Sequence, residues 1–358
     1  MFKAVSLMKP YISVIITAFN RREFLNESIM SVLKQSLPRD EFEIIVVKNF
    51  PDDDIDGFIE ENSVKSVLTG DCSVGEMLRS GIETAEGEVI SFLDDDDKFS
   101  ETKLEQVKRI FSDRREISFF HNDQKFINSK SDIIETPKTY TCFPHDIVFS
   151  PEEIGSVLKN LKKSHLDLIT VFFNLSSISV RKSVLINNIN KFKYLTADTD
   201  HFIFYIANSS RGKIMSIKEK LTLYRIHNST SNITGNHDDI NIINRRKTQL
   251  EYIINSETMF LDLIEDSTLK SYILSRIEFY KVLLSKINGK SGKVLKQVIR
   301  LILTGTLKNI PRYIMKDRIK IYCGLLFFSI YYPLSQKVNT LERVSSRFPS
   351  FTSIRKFN

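Results

Sequence analysis

Val89-Ile90-Ser91-Phe92-Leu93-Asp94-Asp95-Asp96-Asp97 passes from a mostly apolar run straight into four acids. A near-continuous apolar run is the pattern of a parallel strand buried on both faces. The acids would then stand at the carboxyl edge of the sheet, where open α/β folds bind ligands. Adjacent carboxylates repel one another unless something positive holds them. A divalent cation does so most simply, because Mg²⁺ and Mn²⁺ prefer carboxylate oxygen and phosphate. The same run can also be a solvated turn before a helix, with Asp97 or Ser100 as its cap.

The flanking sequence decides between them. Tyr11 to Ala18 is rich in β-branched residues and reads as a strand, as does Glu43 to Val47, with a weaker strand at Ser66 to Leu68. Between them lie helical spacings: Phe24, Leu25, Ile29, Val32 and Leu33, then Val74, Met77, Leu78, Ile82 and Ala85, and later Leu104, Val107 and Phe111. Pro51 to Asp56 reads as an acidic loop, and Ser100 as the cap of a helix over Glu101 to Phe111. Strands alternating with helices imply a mostly parallel sheet built from βαβ units. Right-handed crossovers would bring the loop after Ala18, the Lys48-Asn49 corner and the Asp run to one crevice.

Further on, Ile117 to Phe120 reads as a strand ending at His121-Asn122-Asp123, and 124–160 as loops with a short helix that can face an acceptor. Ser176 to Val180 reads as a strand, His201 to Asn208 as an apolar helix, and Ile214 to Ile217 and Leu221 to Arg225 as short strands. From about 240 the pattern turns helical, over 240–265, 269–288, 293–308 and 311–332, divided by Gly and Pro signals. Residues 1–235 are therefore expected to form an α/β body, and 236–358 a basic helical region.

The 358 residues, 42% hydrophobic and 27% charged, describe a soluble globular chain. Cys72, Cys142 and Cys323 form no metal-spaced pair and no disulfide framework, which points to a reducing compartment. The opening MFKAVSLMKP lacks the apolar core of a secretion signal, so a cytoplasmic location is expected. Charge is uneven: residues 1–239 carry 30 basic and 36 acidic side chains, residues 240–358 carry 21 and 8. A basic tail on an acidic body suggests an anionic partner. The aromatic–basic platform of single-strand binders is missing, so nucleic acid is not expected. Ile319 to Leu334, IKIYCGLLFFSIYYPL, is apolar over 16 residues. That is short of the roughly 20 a spanning helix needs. Flanked by Lys316, Arg318 and Lys337, it reads as an interfacial helix on the cytoplasmic face of a membrane, or as a helix packed on the body or a second subunit. A nucleotidyltransferase would want a Gly-rich loop after the first strand, and TAFNRREF has no glycine.

The order TAFNR (17–21), EIIVV (43–47), Leu78-Arg79-Ser80-Gly81-Ile82 and GEVISFLDDDD (87–97) resembles the family 2 nucleotide-sugar glycosyltransferases of GT-A fold. Ala197-Asp198-Thr199-Asp200 is similar to the family's acidic motif before a helix, and Leu221 to Ser231 to its tyrosine-arginine-histidine segment. The resemblance covers about 11–231. It implies a Rossmann-like, mostly parallel sheet flanked by helices, here with a helical C-terminal extension. It also implies an inverting transferase that takes a sugar from a nucleotide diphosphate to a hydroxyl acceptor. A saccharide or lipid-linked acceptor in cell-surface polysaccharide or glycolipid assembly suits it. One departure stands out. Lys48-Asn49 occupy the corner where the family carries an acidic pair that binds the base, with Asp52 to Asp54 as the nearest substitutes. A UDP-sugar is the default expectation. A catalytically degenerate sugar-nucleotide-binding relative is the alternative that this departure keeps open.

By that resemblance Asp94 and Asp96 form a D-x-D pair. Asp96 would contact Mn²⁺ or Mg²⁺ directly, and Asp94 and Asp95 would lie nearer the donor. Asp97 either backs the metal or caps the next helix. His227 would complete the metal shell or touch the diphosphate, or else serve structure alone. Arg79 and Arg225 are diphosphate candidates, since a guanidinium matches phosphate oxygens; Arg79 can equally sit on a solvated helix face. Thr17, Ala18, Phe19 and Asn20 would line base and ribose. Deprotonating the acceptor needs an ionised carboxylate across the anomeric carbon. Asp198 is the first candidate and Asp200 the second, unless they only cap a helix start.

Overall fold

Apolar runs alternating with helical stretches give the computed structural model its layers. The described residues are 9–70, 72–137, 140, 145–164, 166, 168–227 and 240–288. In chain order the elements are β1 (Ile12–Ala18), α1 (Leu25–Leu33), β2 (Phe42–Lys48), α2 (Asp53–Glu61), β3 (Lys65–Leu68), α3 (Val74–Thr84), β4 (Val89–Asp94), β5 (Lys98–Phe99) and α4 (Lys103–Asp113). Next come β6 (Ile117–Ile127), β7 (Ile133–Ile134), β8 (Ile147–Phe149), α5 (Ile154–Lys163), β9 (Ile178–Arg181), α6 (Lys182–Ile186), α7 (Thr199–Asn208), β10 (Lys213–Arg225), α8 (Ile240–Phe260) and α9 (Ser267–Ile287). The chain divides into two compact units, Met1–Ile277 and Glu278–Asn358. The sheet and the acid run belong to the first unit.

One mixed sheet runs in the order β3-β2-β1-β4-β9-β6-β10-β5. Its first half is parallel, as the βαβ pattern implies. Inserting β9 antiparallel between β4 and β6 ends the simple alternation. β6 and β10 then pair in parallel. Successive side chains of β1 enter opposite cores. Ile15 joins Ile45, Val47, Phe92 and Leu78 on one face. Val14 and Ile16 join Ile44, Val46, Leu93 and Ile29 on the other. Burial on both faces is why these strands read as unbroken apolar runs. The architecture is the expected α/β sheet of GT-A type, with helices following it.

Register positions the functional edge. Thr17 lies opposite Asp94, and Ala18 opposite Lys48. The loop after β1, the Lys48 corner and the Asp run therefore share one end of the sheet. Gly75 lets α3 come close to the segment before α7. A Cβ there would lie 1.9 Å from the Phe192 carbonyl oxygen, while the Gly75 N–H donates to the Leu195 carbonyl at 3.1 Å.

Several local expectations change. The acidic stretch at 51–56 is not a loop: Asp52 caps α2 by accepting from the Ile55 N–H at 3.1 Å. The acids then fill the favourable first turn, and Ile55 and Ile59 give the helix a buried side. Ser100 does not cap α4. Its N–H donates to the Leu221 carbonyl, and the helix starts after Thr102. His121-Asn122-Asp123 lies inside β6 rather than after it, with neighbours matching most of its polar groups and Asn122 Oδ1 left without a partner. His121 Nδ1 is 2.9 Å from Ser216 Oγ, and Asn122 Nδ2 donates to Thr222 Oγ1. The two short strands at 214–217 and 221–225 are one strand, β10, with register shifts around Lys220. The helices at 293–308 and 311–332, the apolar stretch 319–334 and Asn228 to Ser231 lie outside the described residues. Among the described residues no helix is long and apolar enough to cross a membrane.

Candidate active site

β4 ends at Asp94, and Asp95 to Asp97 form a turn closed by the Asp97 N–H on the Asp94 carbonyl at 3.2 Å. The acids alternate. Asp94 and Asp96 are partly buried, while Asp95 and Asp97 are buried. Ser28 Oγ, on α1, lies 2.8 Å from the Asp95 carbonyl oxygen and 2.7 Å from that of Asp97, pinning the turn from below.

Each buried acid has its own holder. Arg21 Nε donates to Asp95 Oδ2 at 2.9 Å, and Arg21 Nη2 to Asp95 Oδ1. Asp97 Oδ2 accepts from Ser176 Oγ at 2.6 Å and from Asn174 Nδ2 at 3.3 Å, and its Oδ1 from the Arg225 N–H at 2.8 Å. Asp96 Oδ2 meets Arg21 Nη1 at 2.7 Å and His227 Nε2 at 2.8 Å. The His227 ring stands edge-on to Phe24 at 5.1 Å.

Asp94, Asp96 and Asp97 each offer a carboxylate oxygen within 4.8 Å of the others. Burial first, and then the charges of Asp96, Asp97 and Asp95, push the Asp94 carboxyl well above its usual range against the pull of Arg21. Burial likewise raises Asp95 to about 6 and Asp97 to about 7, the first opposed by Arg21 and the second by Ser176. An all-oxygen donor set with surplus negative charge fits a hard divalent cation, with His227 Nε2 at its border.

The second half of the site starts α7. Asp198 holds the left-handed conformation, φ 54 and ψ 46, at the N-cap position. Its Oδ2 is buried without a hydrogen-bond partner, and burial lifts its carboxyl to about 6. Asp200 accepts from the Asn174 N–H at 3.2 Å, and its Oδ1 meets the His201 N–H and Nδ1 at 2.9 Å. Burial acts to raise the Asp200 carboxyl, but the charge and hydrogen bonds of His201 outweigh it and the net shift is downward. Asn174 therefore touches both acidic groups, Asp97 by its side chain and Asp200 by its backbone.

At the β1 edge Thr17 and Ala18 are buried, and Phe19 is 47% exposed. Asn20 adopts φ 51, and its N–H donates to Asn49 Oδ1 at 2.7 Å. Lys48 is buried and paired to Asp56 at 2.8 Å, and Asp52 is paired to Arg22 at 3.0 Å. Neither Lys48 nor Asp52 points a free charge into the crevice.

Two arginines sit differently from the diphosphate role read for them. Arg225 is buried. Its Nε donates to the Asp96 carbonyl at 2.7 Å, Nη1 to the carbonyls of Asn128 and Ser129, and Nη2 to Glu27 at 3.0 Å, with Phe24 under the guanidinium at 4.2 Å. Arg79 donates to Glu83 one turn along the exposed side of α3. Four residues that hold the site carry no mark of it in sequence spacing: Glu27, Ser28, Asn174 and Ser176. Arg21 lies within the TAFNR motif and is the one the sequence offers.

The family model for Glycosyl transferase family 2 matches residues 13–185, spanning β1, the acid run and β9. Over that stretch the chain carries a family 2 glycosyltransferase domain. An uncharacterized glycosyltransferase of Nostoc is 26% identical over 238 residues, covering 63% of this chain and 67% of the relative. The poly(ribitol-phosphate) beta-N-acetylglucosaminyltransferase TarP of Staphylococcus aureus is 26% identical over 64% of this chain and 66% of its own. Staphylococcus aureus TarS 1-349 shares the fold, with a TM-score of 0.54 at 17% identity over 85% of this chain and 82% of that one. The same TarS fragment in complex with UDP-GlcNAc gives 0.51 at 17% identity over 79% and 76%. The matched stretch includes the Asp run at the end of β4.

Proposed function

We propose that this family 2 enzyme is a metal-dependent, inverting transferase that moves a sugar from a UDP-sugar to a hydroxyl acceptor in cell-surface polysaccharide or glycolipid assembly. The observation that carries it is the cluster of Asp94, Asp96 and Asp97 oxygens within 4.8 Å at the strand edge, opposite Thr17. The UDP-GlcNAc complex of the TarS fragment supports the choice of uridine diphosphate.

Asp94 and Asp96 would hold Mn²⁺ or Mg²⁺ with His227 beside them, and Asp97 would support them from behind. When bound, the cation neutralises charge on the leaving diphosphate. Arg21 fixes Asp95 and reaches Asp96, so it sets the shape of the acid turn. Arg225 clamps the same turn from within rather than touching phosphate. Thr17, Ala18, Phe19 and Asn20 line base and ribose, with the exposed Phe19 ring available to stack. Arg79 keeps the diphosphate role only if donor binding breaks its pair with Glu83.

Asp198 takes the acceptor's proton. A carboxyl that titrates at about 6 is ionised at neutral pH yet a better proton acceptor than an ordinary one. Asp200, held down by His201, orients the start of α7 and is the second candidate. In-line attack opposite the leaving group gives inversion. The surplus of basic residues beyond 270 would dock the enzyme on anionic headgroups at the cytoplasmic face. Flotation of the full chain with anionic but not neutral vesicles supports that docking, and equal flotation ends it. Nucleotide release from a panel of sugar nucleotides with Mn²⁺ tests the main reading. Release by wild type and not by Asp96→Asn is expected; release unaffected by the substitution contradicts it.

A further inference from the structure

The helices after the sheet reach the base region. Ser256 Oγ on α8 lies 3.5 Å from Thr196 Oγ1, in the segment that delivers Asp198. The Phe260 ring at the end of α8 packs 5.5 Å from Phe202 and 5.6 Å from Tyr205, both on α7. Between these contacts Glu257 is fully buried, and its Oε1 accepts from Arg276 Nε on α9 at 2.8 Å. Tyr272 and Ile273, on the same stretch of α9, belong to the apolar core. Two charges taken from water cost several kcal/mol each, and an apolar pair of similar volume often serves stability as well or better. The pair is therefore poorly explained by stability alone.

Its surroundings suggest what it does. Glu257 Oε2, Asp198 Oδ2, His201 Nε2 and Tyr205 OH are all buried without a hydrogen-bond partner. Buried polar atoms are nearly always matched. In this low-dielectric region fixed charges act strongly on one another. We propose that Glu257 and Arg276 are positioning residues for the general base, their charges held by α8 and α9 so as to set how tightly the Asp198 carboxylate holds a proton. The proposal rests on the assignment of Asp198 as that base. It makes the helices after the sheet a working part of the active site.

The charged groups facing Asp198 are Asp200 and His201 from α7, Glu257 from α8 and Arg276 from α9. Burial raises its carboxyl most. His201 and Arg276 pull it down, Glu257 and Asp200 push it up, and Glu257 outweighs Arg276. Neutralising Glu257 must therefore make Asp198 more acidic.

The test is a ¹³C-carboxyl titration of the aspartate-labelled full chain, with the Asp198 signal identified by its loss in Asp198→Asn. In Glu257→Gln the Asp198 midpoint is expected to fall by about half a pH unit or more. Glu257→Asp, which keeps the charge, should restore most of the wild-type value. A midpoint unmoved in a folded Glu257→Gln protein overturns the proposal. If that variant does not fold, Glu257→Gln/Arg276→Gln replaces it; a smaller fall is expected there, and no fall is equally fatal. Sugar-nucleotide turnover separates the two levels. Full activity in Asp198→Asn, whatever the titration shows, removes the base assignment itself, whereas an inactive Asp198→Asn with an unmoved midpoint in Glu257→Gln removes only the coupling.

Discussion

Asp97 and Asp200 lean on one residue, Asn174, whose Nδ2 donates to Asp97 at 3.3 Å and whose backbone N–H donates to Asp200 at 3.2 Å. The acid turn and the start of α7 are thereby fixed to each other. Asn174 does this from φ 74, a conformation that glycine tolerates and alanine does not. Asn174→Gly removes two side-chain bonds, the one to Asp97 and the one Oδ1 accepts from the Ser176 N–H at 2.7 Å, and should cost about 1–3 kcal/mol. Asn174→Ala should cost about 1 kcal/mol more, for backbone strain. Urea unfolding of the two variants checks this, and an alanine no worse than glycine contradicts it.

Arg21 is the counter-charge of the acid turn. Removing it strands Asp95, whose side chain is 5% exposed. Arg21→Ala should destabilise the chain by about 3 kcal/mol, the low end for a broken buried pair. Part of that loss should return when Mn²⁺ is added, because the cation takes over the neutralisation. Thermal melts with Mn²⁺ and with EDTA decide; a variant that melts like wild type in EDTA contradicts the role.

Stability should depend on pH in a particular direction. Asp95 is raised to about 6, Asp97 to about 7 and Asp198 to about 6, so all three bind protons more tightly folded than unfolded. A raised carboxyl contributes stability that is complete below its unfolded pKa and is lost as pH rises through its folded value. In EDTA the melting temperature should fall between about pH 5 and pH 7.5. His121, lowered to about 4 by burial, acts oppositely and limits the gain at the acid end. Mn²⁺ should raise the melt more at pH 7.5 than at pH 5. A melt that climbs with pH in EDTA contradicts the crowding of the acids.

Two glycines make a contrast. A Cβ at Gly75 would lie 1.9 Å from the Phe192 carbonyl oxygen, whereas Gly57 in α2 has nothing within 4 Å. Gly75→Ala should destabilise by about 1–3 kcal/mol and loosen the segment before Asp198. Gly57→Ala should stabilise by about 0.5–1 kcal/mol, by restricting the unfolded chain. Equal melts for the two variants would contradict the close approach of α3 to Phe192.

Much of this sheet edge was legible in sequence, because β1, β2 and β4 are buried on both faces and advertise themselves as apolar runs ending at polar residues. The acid run needed only its neighbours to be placed. α2 was hidden because its acids resemble a loop until Asp52 is seen as a cap. β10 was hidden because its irregular register around Lys220 breaks the period of two. Arg225 shows the limit of reading a charge. Sequence offers it as a diphosphate candidate, and only packing against Phe24 and three carbonyls reveals that it faces inward. Asn174 and Glu257 were beyond reach, since each matters through residues remote in the chain.

Calorimetric titration of UDP into the full chain, with and without Mn²⁺, tests the central claim most directly. The acid cluster is expected to make UDP binding at least about ten-fold tighter with Mn²⁺, a gain of about 1.4 kcal/mol that Asp96→Asn abolishes. Equal binding with and without the cation, or a gain that survives Asp96→Asn, would contradict it.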